Sequence, residues 1–169
     1  MKEYTMKTLP TLIAASLLLA SSPMVMADAA ENSRYKMVLI EDTPGVDAIQ
    51  SGDLIEGIEL TKSAKHSAID TYTRNLNLCV GYTKLSQFDV AEKACSDAVR
   101  MAVNEETLPS MRMRAYAFNN RGVMKVLAND NIGALEDFRQ AAKATKDPIY
   151  KQNLTRLEAA LNSLETGTL

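Results

Sequence analysis

The chain has 169 residues, of which 46% are hydrophobic and 24% charged, and it contains no tryptophan. These values are typical of one soluble domain that is long enough to bury a core. The formal net charge of −2 and the sequence pI of about 5.5 provide no basic surface of the kind that neutralises phosphates, so nucleic acid is excluded as an expected partner.

The first predicted element is a cleaved secretory signal over residues 1–27, with 29 as an alternative end. Lys2 and Lys7 flank its polar start, and an uncharged apolar run from Leu9 to Ala20 follows. This run is too short to span a bilayer. We therefore expect a periplasmic or secreted protein, with a Gram-negative periplasm favoured and no stable membrane span after cleavage.

An N-terminal segment over residues 30–45 is predicted to be extended or irregular. Its apolar part, from Tyr35 to Ile40, suits either a short extended segment or a helical turn lying on the first helices. The sequence does not distinguish these two structures. Pro44 and Gly45 end the segment.

Residues 46–145 are predicted to form helical repeats, because small residues recur seven positions apart in three places. The pairs are Gly57 with Ala64, Ala91 with Ala98, and Ala134 with Ala141. Gly57 and Ala91 are about 34 residues apart, the period of a known helical repeat. The next interval, from Ala91 to Ala134, is longer, and a loop over 104–110 accounts for the excess. Small residues at these positions allow two antiparallel helices to approach closely.

The last of these units carries a resemblance to a known family. Phe118-Asn119-Asn120-Arg121-Gly122, followed by the stretch from Gly133 to Ala142, resembles a tetratricopeptide repeat. The stretch from Asn77 to Ala91 is similar, and a degraded third copy lies around Gly52 to Leu54. The resemblance implies an all-α fold in which antiparallel helix pairs stack as a short right-handed solenoid.

A capping helix and tail are predicted over residues 146–169. Asp147 and Pro148 form a typical helix start, and leucines then recur at helical spacing, at positions 154, 157, 161 and 164. Repeat arrays need such a helix because the last pair would otherwise expose its apolar face. Asn153 begins an Asn-Leu-Thr glycosylation sequon, which we interpret as a chance match.

The two cysteines, Cys79 and Cys95, fall where the paired helices of one repeat face each other. In an exported protein this placement predicts a disulfide. The alternative is a pair of small buried thiols. No second cysteine or histidine lies at ligand spacing from either residue, so no metal site is predicted.

No pattern in the sequence indicates catalysis. His66 is the only histidine, and a lone loop histidine is usually just solvated. A glycine-rich phosphate loop and a carboxylate pair with a distinguishing context are both missing. We therefore predict a protein that is not an enzyme, with no catalytic residue and no cofactor.

The family resemblance places partner binding in a concave groove lined by the first helix of each repeat. Carried over by position, the groove residues are Thr73, Leu76, Asn77, Val80, Thr83, Tyr116, Asn119, Asn120 and Val123. Some family members clamp a terminal carboxylate with basic residues there, and Arg74 and Lys84 lie nearby without completing that pattern. Alternatively, the N-terminal segment covers Leu76 and Val80 and fills the groove internally.

These patterns favour a non-catalytic adaptor or scaffold that binds a protein or peptide partner in the groove. The sequence does not identify that partner. The main alternative is a self-associating structural protein, a homo-oligomer with no separate ligand. An enzyme with an unrecognised site is the least favoured interpretation.

Overall fold

The computed structural model describes residues 35–67, 69–103 and 110–167. The predicted signal, and all of the predicted 104–110 loop except Ser110, lie outside these ranges. The described chain is all-α, with seven helices and no strand. The helices are α1 (Val46–Ser51), α2 (Leu54–Ser63), α3 (Thr71–Lys84), α4 (Phe88–Val103), α5 (Met111–Leu127), α6 (Asn131–Ala144) and α7 (Pro148–Thr166). Within the described residues, none of these helices has the combined length and apolar character needed to cross a bilayer.

Four helices begin at a side chain that caps the free backbone N–H groups of the first turn. Asp70 caps α3, Ser110 caps α5, Asp130 caps α6 and Asp147 caps α7. The first helical residue of α7 is Pro148, whose missing N–H would have no intrahelical partner there. The predicted start of this helix is therefore confirmed, and the caps fix where each helix enters the fold.

The helices form two layers. Each helix packs against the next one in the chain, and α1, α3, α5 and α7 also contact one another in that order. These four helices make the inner layer, while α2, α4 and α6 pack on its outer side. The inner layer faces the extended chain that precedes α1, so this layer positions the candidate site.

Helices α5 and α6 are held together by close approach and by a buried ion pair. A Cβ added to Gly122 would lie 2.7 Å from the ring of Phe138, so only glycine allows this contact without movement of the ring. Arg121 donates two hydrogen bonds, of 2.8 and 2.7 Å, to the carboxylate of Asp137. Lys125 lies 3.0 Å from the same carboxylate. Burial lowers the pKa of Arg121, but the hydrogen bond and charge of Asp137 outweigh this effect and raise it overall.

A disulfide between Cys79 and Cys95 joins α3 to α4, which confirms the predicted pairing. Both cysteines are completely buried, and they lie in a cluster with Leu78, Ala91 and Met124. The Cα atoms are 4.8 Å apart, so the two helices approach closely at this point. Because Asn77 is two residues before Cys79, the crosslink also fixes the part of α3 that carries this groove residue.

Replacing both cysteines by alanine is expected to lower the free energy of unfolding by about 3 kcal/mol, the chain-entropy value for a loop of this size. Urea unfolding followed by circular dichroism measures the difference. The double variant should be insensitive to reductant, whereas reduction should destabilise the natural chain by a similar amount. Equal stability of the oxidised and reduced natural protein would contradict a stabilising role for the crosslink.

Candidate functional site: a groove lined by asparagine side chains

Four buried asparagines line the inner layer where it faces the N-terminal chain. Asn77 lies on α3, Asn119 and Asn120 on α5, and Asn153 on α7. Each side chain is at most 1% exposed. A buried amide is costly unless its polar atoms have partners. Throughout the described part of the chain, no buried side-chain nitrogen or oxygen lacks a hydrogen bond.

The partners of these amides come from residues 35–43, which we call the groove segment. The N–H of Val38 donates to Asn120 Oδ1 at 2.8 Å, and its carbonyl accepts from Asn120 Nδ2 at 2.7 Å. Ile40 makes the same pair of bonds with Asn77, at 3.0 and 3.2 Å. One asparagine therefore satisfies both backbone groups of a residue, as a neighbouring β-strand would.

Lys36 makes the third set of contacts and couples two helices. Its N–H donates to Asn153 Oδ1 at 3.1 Å, and its carbonyl accepts from Asn119 and Asn153, each at 2.9 Å. Asn153 also donates to Asn119 Oδ1 at 2.8 Å. The bonded residues are 36, 38 and 40, and this period of two is that of an extended chain. The groove segment thus crosses the inner layer from α7 to α3.

Side chains of the groove segment pack into the clusters on either side. Tyr35 is buried and stacks on Phe138, with ring centroids 5.9 Å apart. Val38 packs against the cluster around Tyr150, and Ile40 packs against the cluster that contains Leu76. The backbone bonds and this apolar packing together hold the segment in the groove.

The predicted groove residues form two groups. One group lies against the groove segment, and the side chains of the other group form hydrogen bonds within their own helix or its cap. The first group contains the three asparagines of α3 and α5 together with Leu76, which is completely buried. Tyr116 is half-buried and packs against both clusters that receive Val38 and Ile40. Val80 and Val123 line a cavity beside the segment.

Thr73 and Thr83 are buried, but their hydroxyls form hydrogen bonds within α3 and its N-terminal cap. The hydroxyl of Thr73 donates to the capping carboxylate of Asp70 at 2.8 Å. That of Thr83 donates to the carbonyl of Cys79 at 2.6 Å, one turn earlier in α3. The structure therefore shows no groove contact through either hydroxyl.

Asn153 is a site residue that the sequence analysis missed. It lies 34 residues after Asn119, to which it is hydrogen-bonded. The same spacing separates Gly57 from Ala91, so this spacing was the available signal. By sequence pattern alone, Asn153 stands out only as the first residue of an Asn-Leu-Thr sequon. Its side chain is 1% exposed and is engaged by Lys36 and Asn119, which leaves no room for a glycan.

Arg74 and Lys84, the two basic residues near the groove, stabilise helix ends. Arg74 donates to the carbonyls of Thr61, Lys62 and Ala64 at the end of α2, at 2.6 to 2.8 Å. Lys84 donates to the carbonyl of Ile49 in α1 at 2.9 Å. Cations at a helix C-terminus satisfy free carbonyls and complement the helix dipole.

An open cavity of about 460 Å³ lies beside the groove segment. The segment forms one side of it, and the helices contribute Val80, Val123 and Ile149 with the polar side chains of Gln50 and Lys84. The volume is in the range of ordinary ligand pockets. Concave surface is therefore still accessible although the segment occupies the groove.

No group of three or more His, Cys, Asp or Glu side chains in the described part of the chain is arranged to hold a metal ion. His66 lies exposed in the turn after α2. Comparison of the chain with protein-family models, with curated proteins and with solved structures gave no match.

Replacing Asn120 by leucine removes both hydrogen bonds to Val38 while keeping a side chain of similar size. We expect the free energy of unfolding to fall by about 2 to 4 kcal/mol, since partly buried N–H and C=O groups lose their partners. Urea unfolding measures the loss. Asn162→Leu is the matched control, because Asn162 is exposed on α7 and its change should stay within about 0.5 kcal/mol. Equal effects of the two substitutions would contradict the role given to Asn120.

Two tyrosines beside the groove should make stability depend on alkaline pH. Burial raises the pKa of both Tyr72 and Tyr150 well above the ordinary value. Because the neutral form is favoured in the folded protein, these tyrosines contribute their full stabilisation below about pH 10, the pKa of tyrosine in an unfolded chain. This contribution to the free energy of unfolding is lost as the pH rises above that value. Urea unfolding at pH 8 to 11 should show this decline, and a Tyr72→Phe/Tyr150→Phe variant should show a shallower one. Identical slopes would rule out these residues as the cause.

Proposed function

We propose that this protein is a non-catalytic adaptor or scaffold of the bacterial cell envelope that binds an extended polypeptide at the asparagine-lined groove. The observation that carries the proposal is an open cavity of about 460 Å³ beside the groove segment, on a face where seven hydrogen bonds already join buried asparagine amides to the backbone of residues 36, 38 and 40. These bonds are made to main-chain atoms, so the groove is suited to hold an extended chain.

The repeat architecture that we propose is a short tetratricopeptide-like array with α7 as its capping helix. It is supported by the close contact of Gly122 with Phe138 in the best-matching unit. The 34-residue spacing of Asn119 and Asn153 is further support, since it equals the period that relates Gly57 to Ala91. Equivalent positions on successive inner helices then face the same segment.

Export to the periplasm or the cell exterior is part of the proposal. The signal-like pattern of residues 1–27 supports it. The disulfide between Cys79 and Cys95 supports it as well, because disulfides persist in oxidising compartments.

Site-specific photocrosslinking in cells that export the protein tests the proposal. A photoreactive residue is placed at Gln50 or Glu41, both of which are exposed and line the cavity beside the groove segment. The control position is Ile132 on α6 of the outer layer, which is 85% exposed. We expect covalent adducts with a discrete partner from the two groove positions and none from Ile132. Adducts of equal yield from all three positions, or from Ile132 alone, would contradict binding at the groove.

A further inference from the structure

The groove segment has two edges, and the asparagines use one of them. In an extended chain the N–H and C=O groups of successive residues point to opposite edges. Residues 36, 38 and 40 are bonded to the groove floor, so Met37 and Leu39 direct their backbone groups away from it. Within the described ranges, the N–H and C=O groups of Met37 and Leu39 make no hydrogen bond.

An unpaired edge of this kind pairs readily with another extended chain. Peptide-binding domains use this mode, in which main-chain bonds provide affinity and adjacent pockets select side chains. Met37 and Leu39 both line the open cavity of about 460 Å³. The helices contribute the apolar side chains of Val80, Val123 and Ile149 to the same lining.

The groove segment itself is a poor candidate for displacement. A competing peptide would make the same bonds to the same asparagines and would gain no new backbone contact. The segment is covalently tethered, so its effective concentration at the groove is on the order of millimolar. It also buries Tyr35 against Phe138. An incoming chain therefore meets the open edge with the segment still in place.

The two ends of the segment carry opposite charges. Lys36 is exposed at the α7 end, where Arg156 lies over the Tyr35 ring at 5.8 Å. Glu41 and Asp42 are exposed at the other end. Among the described residues, Lys36, Glu41 and Asp42 form no ion pair. A complementary chain carries acidic residues beside Lys36 and a basic residue beside Glu41.

We propose that the Met37 and Leu39 edge of the groove segment binds an extended segment of a partner protein by antiparallel strand addition. The bound segment has a basic residue, then three or four apolar residues, then acidic residues in N-to-C order. Antiparallel pairing places its acidic end beside Lys36 and its basic end beside Glu41. This inference rests on the proposed function and specifies how the partner is bound.

A suitable probe is a synthetic peptide with the sequence YKMVLIED, that of residues 35–42, which has the required charge order. Two further versions carry N-methyl groups on every second amide. In one version the methylated amides are those of one edge of the extended peptide, and in the other version they are those of the opposite edge. A peptide that pairs through one edge should lose binding when the N-methyl groups lie on that edge and keep it when they lie on the opposite edge. We expect a loss of about tenfold or more for one version, measured by fluorescence anisotropy with the whole protein. Equal losses in both versions, or no binding of the parent peptide, would overturn strand addition.

The protein side of the test compares Leu39→Pro with Leu39→Ala. Proline removes the outward N–H of residue 39 and keeps residue 38 extended, whereas alanine shortens the side chain and retains the donor. We expect Leu39→Pro to bind the peptide about fivefold more weakly than Leu39→Ala. A peptide with reversed charges should also bind several-fold more weakly than the parent. Equal affinity of the two variants would count against pairing at residue 39.

Amide hydrogen exchange separates this inference from the proposed function. Strand addition protects the amides of Met37 and Leu39 when peptide is added, while those of Lys36, Val38 and Ile40 stay protected. Loss of protection at Val38 and Ile40 would mean displacement of the segment, which overturns strand addition and leaves groove binding intact. Peptide-independent self-association that Leu39→Pro abolishes would instead make a second copy the occupant and overturn a foreign partner.

Discussion

Burial of asparagine amides at the groove floor is the constraint on which the remaining structure depends. Each amide has one acceptor and two donor hydrogens, and leaving such a group unpaired in a dry site costs about 1 to 3 kcal/mol. Helix backbones cannot supply the partners, since their own N–H and C=O groups are already bonded within the helix. An extended chain can, because it presents a donor and an acceptor together at every second residue. The groove segment and the four asparagines therefore form one polar unit.

This unit changes how the helices depend on one another. In a simple repeat array each repeat contacts only its neighbours, and stability is close to a sum of local terms. Here the hydrogen bond between Lys36 and Asn153 joins residues 117 positions apart, and that between Val38 and Asn120 joins residues 82 apart. One short segment thus ties α3, α5 and α7 together. The disulfide on α3 and the Arg121–Asp137 pair on α5 fix the helices from the outer side, so the asparagines are held from both directions.

Periodic features of the structure could be predicted from the sequence, and contacts without a period could not. Small residues at 91, 98, 134 and 141 indicated helix pairs, and the start of α7 at Pro148 followed from its cap. The resemblance to a tetratricopeptide repeat predicts groove positions for Asn77, Asn119 and Asn120. Apart from the Thr43 hydroxyl, which accepts from Asn77, their partners in residues 35–43 are backbone atoms, which leave no side-chain pattern. The roles of Arg74 and Lys84 could not be predicted either. In a sequence, a basic residue that bonds to the carbonyls at a helix C-terminus cannot be distinguished from one that binds a ligand.

Recognition through the backbone also determines where selectivity can arise. The bonds to Val38 and Ile40 would form with almost any residue at those positions, with proline as the exception, since it lacks the N–H. Discrimination must therefore come from the packing sites at the two sides, such as the stack of Tyr35 on Phe138 and the cluster that receives Ile40. The strand addition that we propose at Met37 and Leu39 follows the same physical rule: the backbone groups of that edge would pair with any extended chain, and the charged ends of the segment would select among such chains. The groove thus holds its own segment through the asparagine amides, while the backbone groups of Met37 and Leu39 make no hydrogen bond within the described residues.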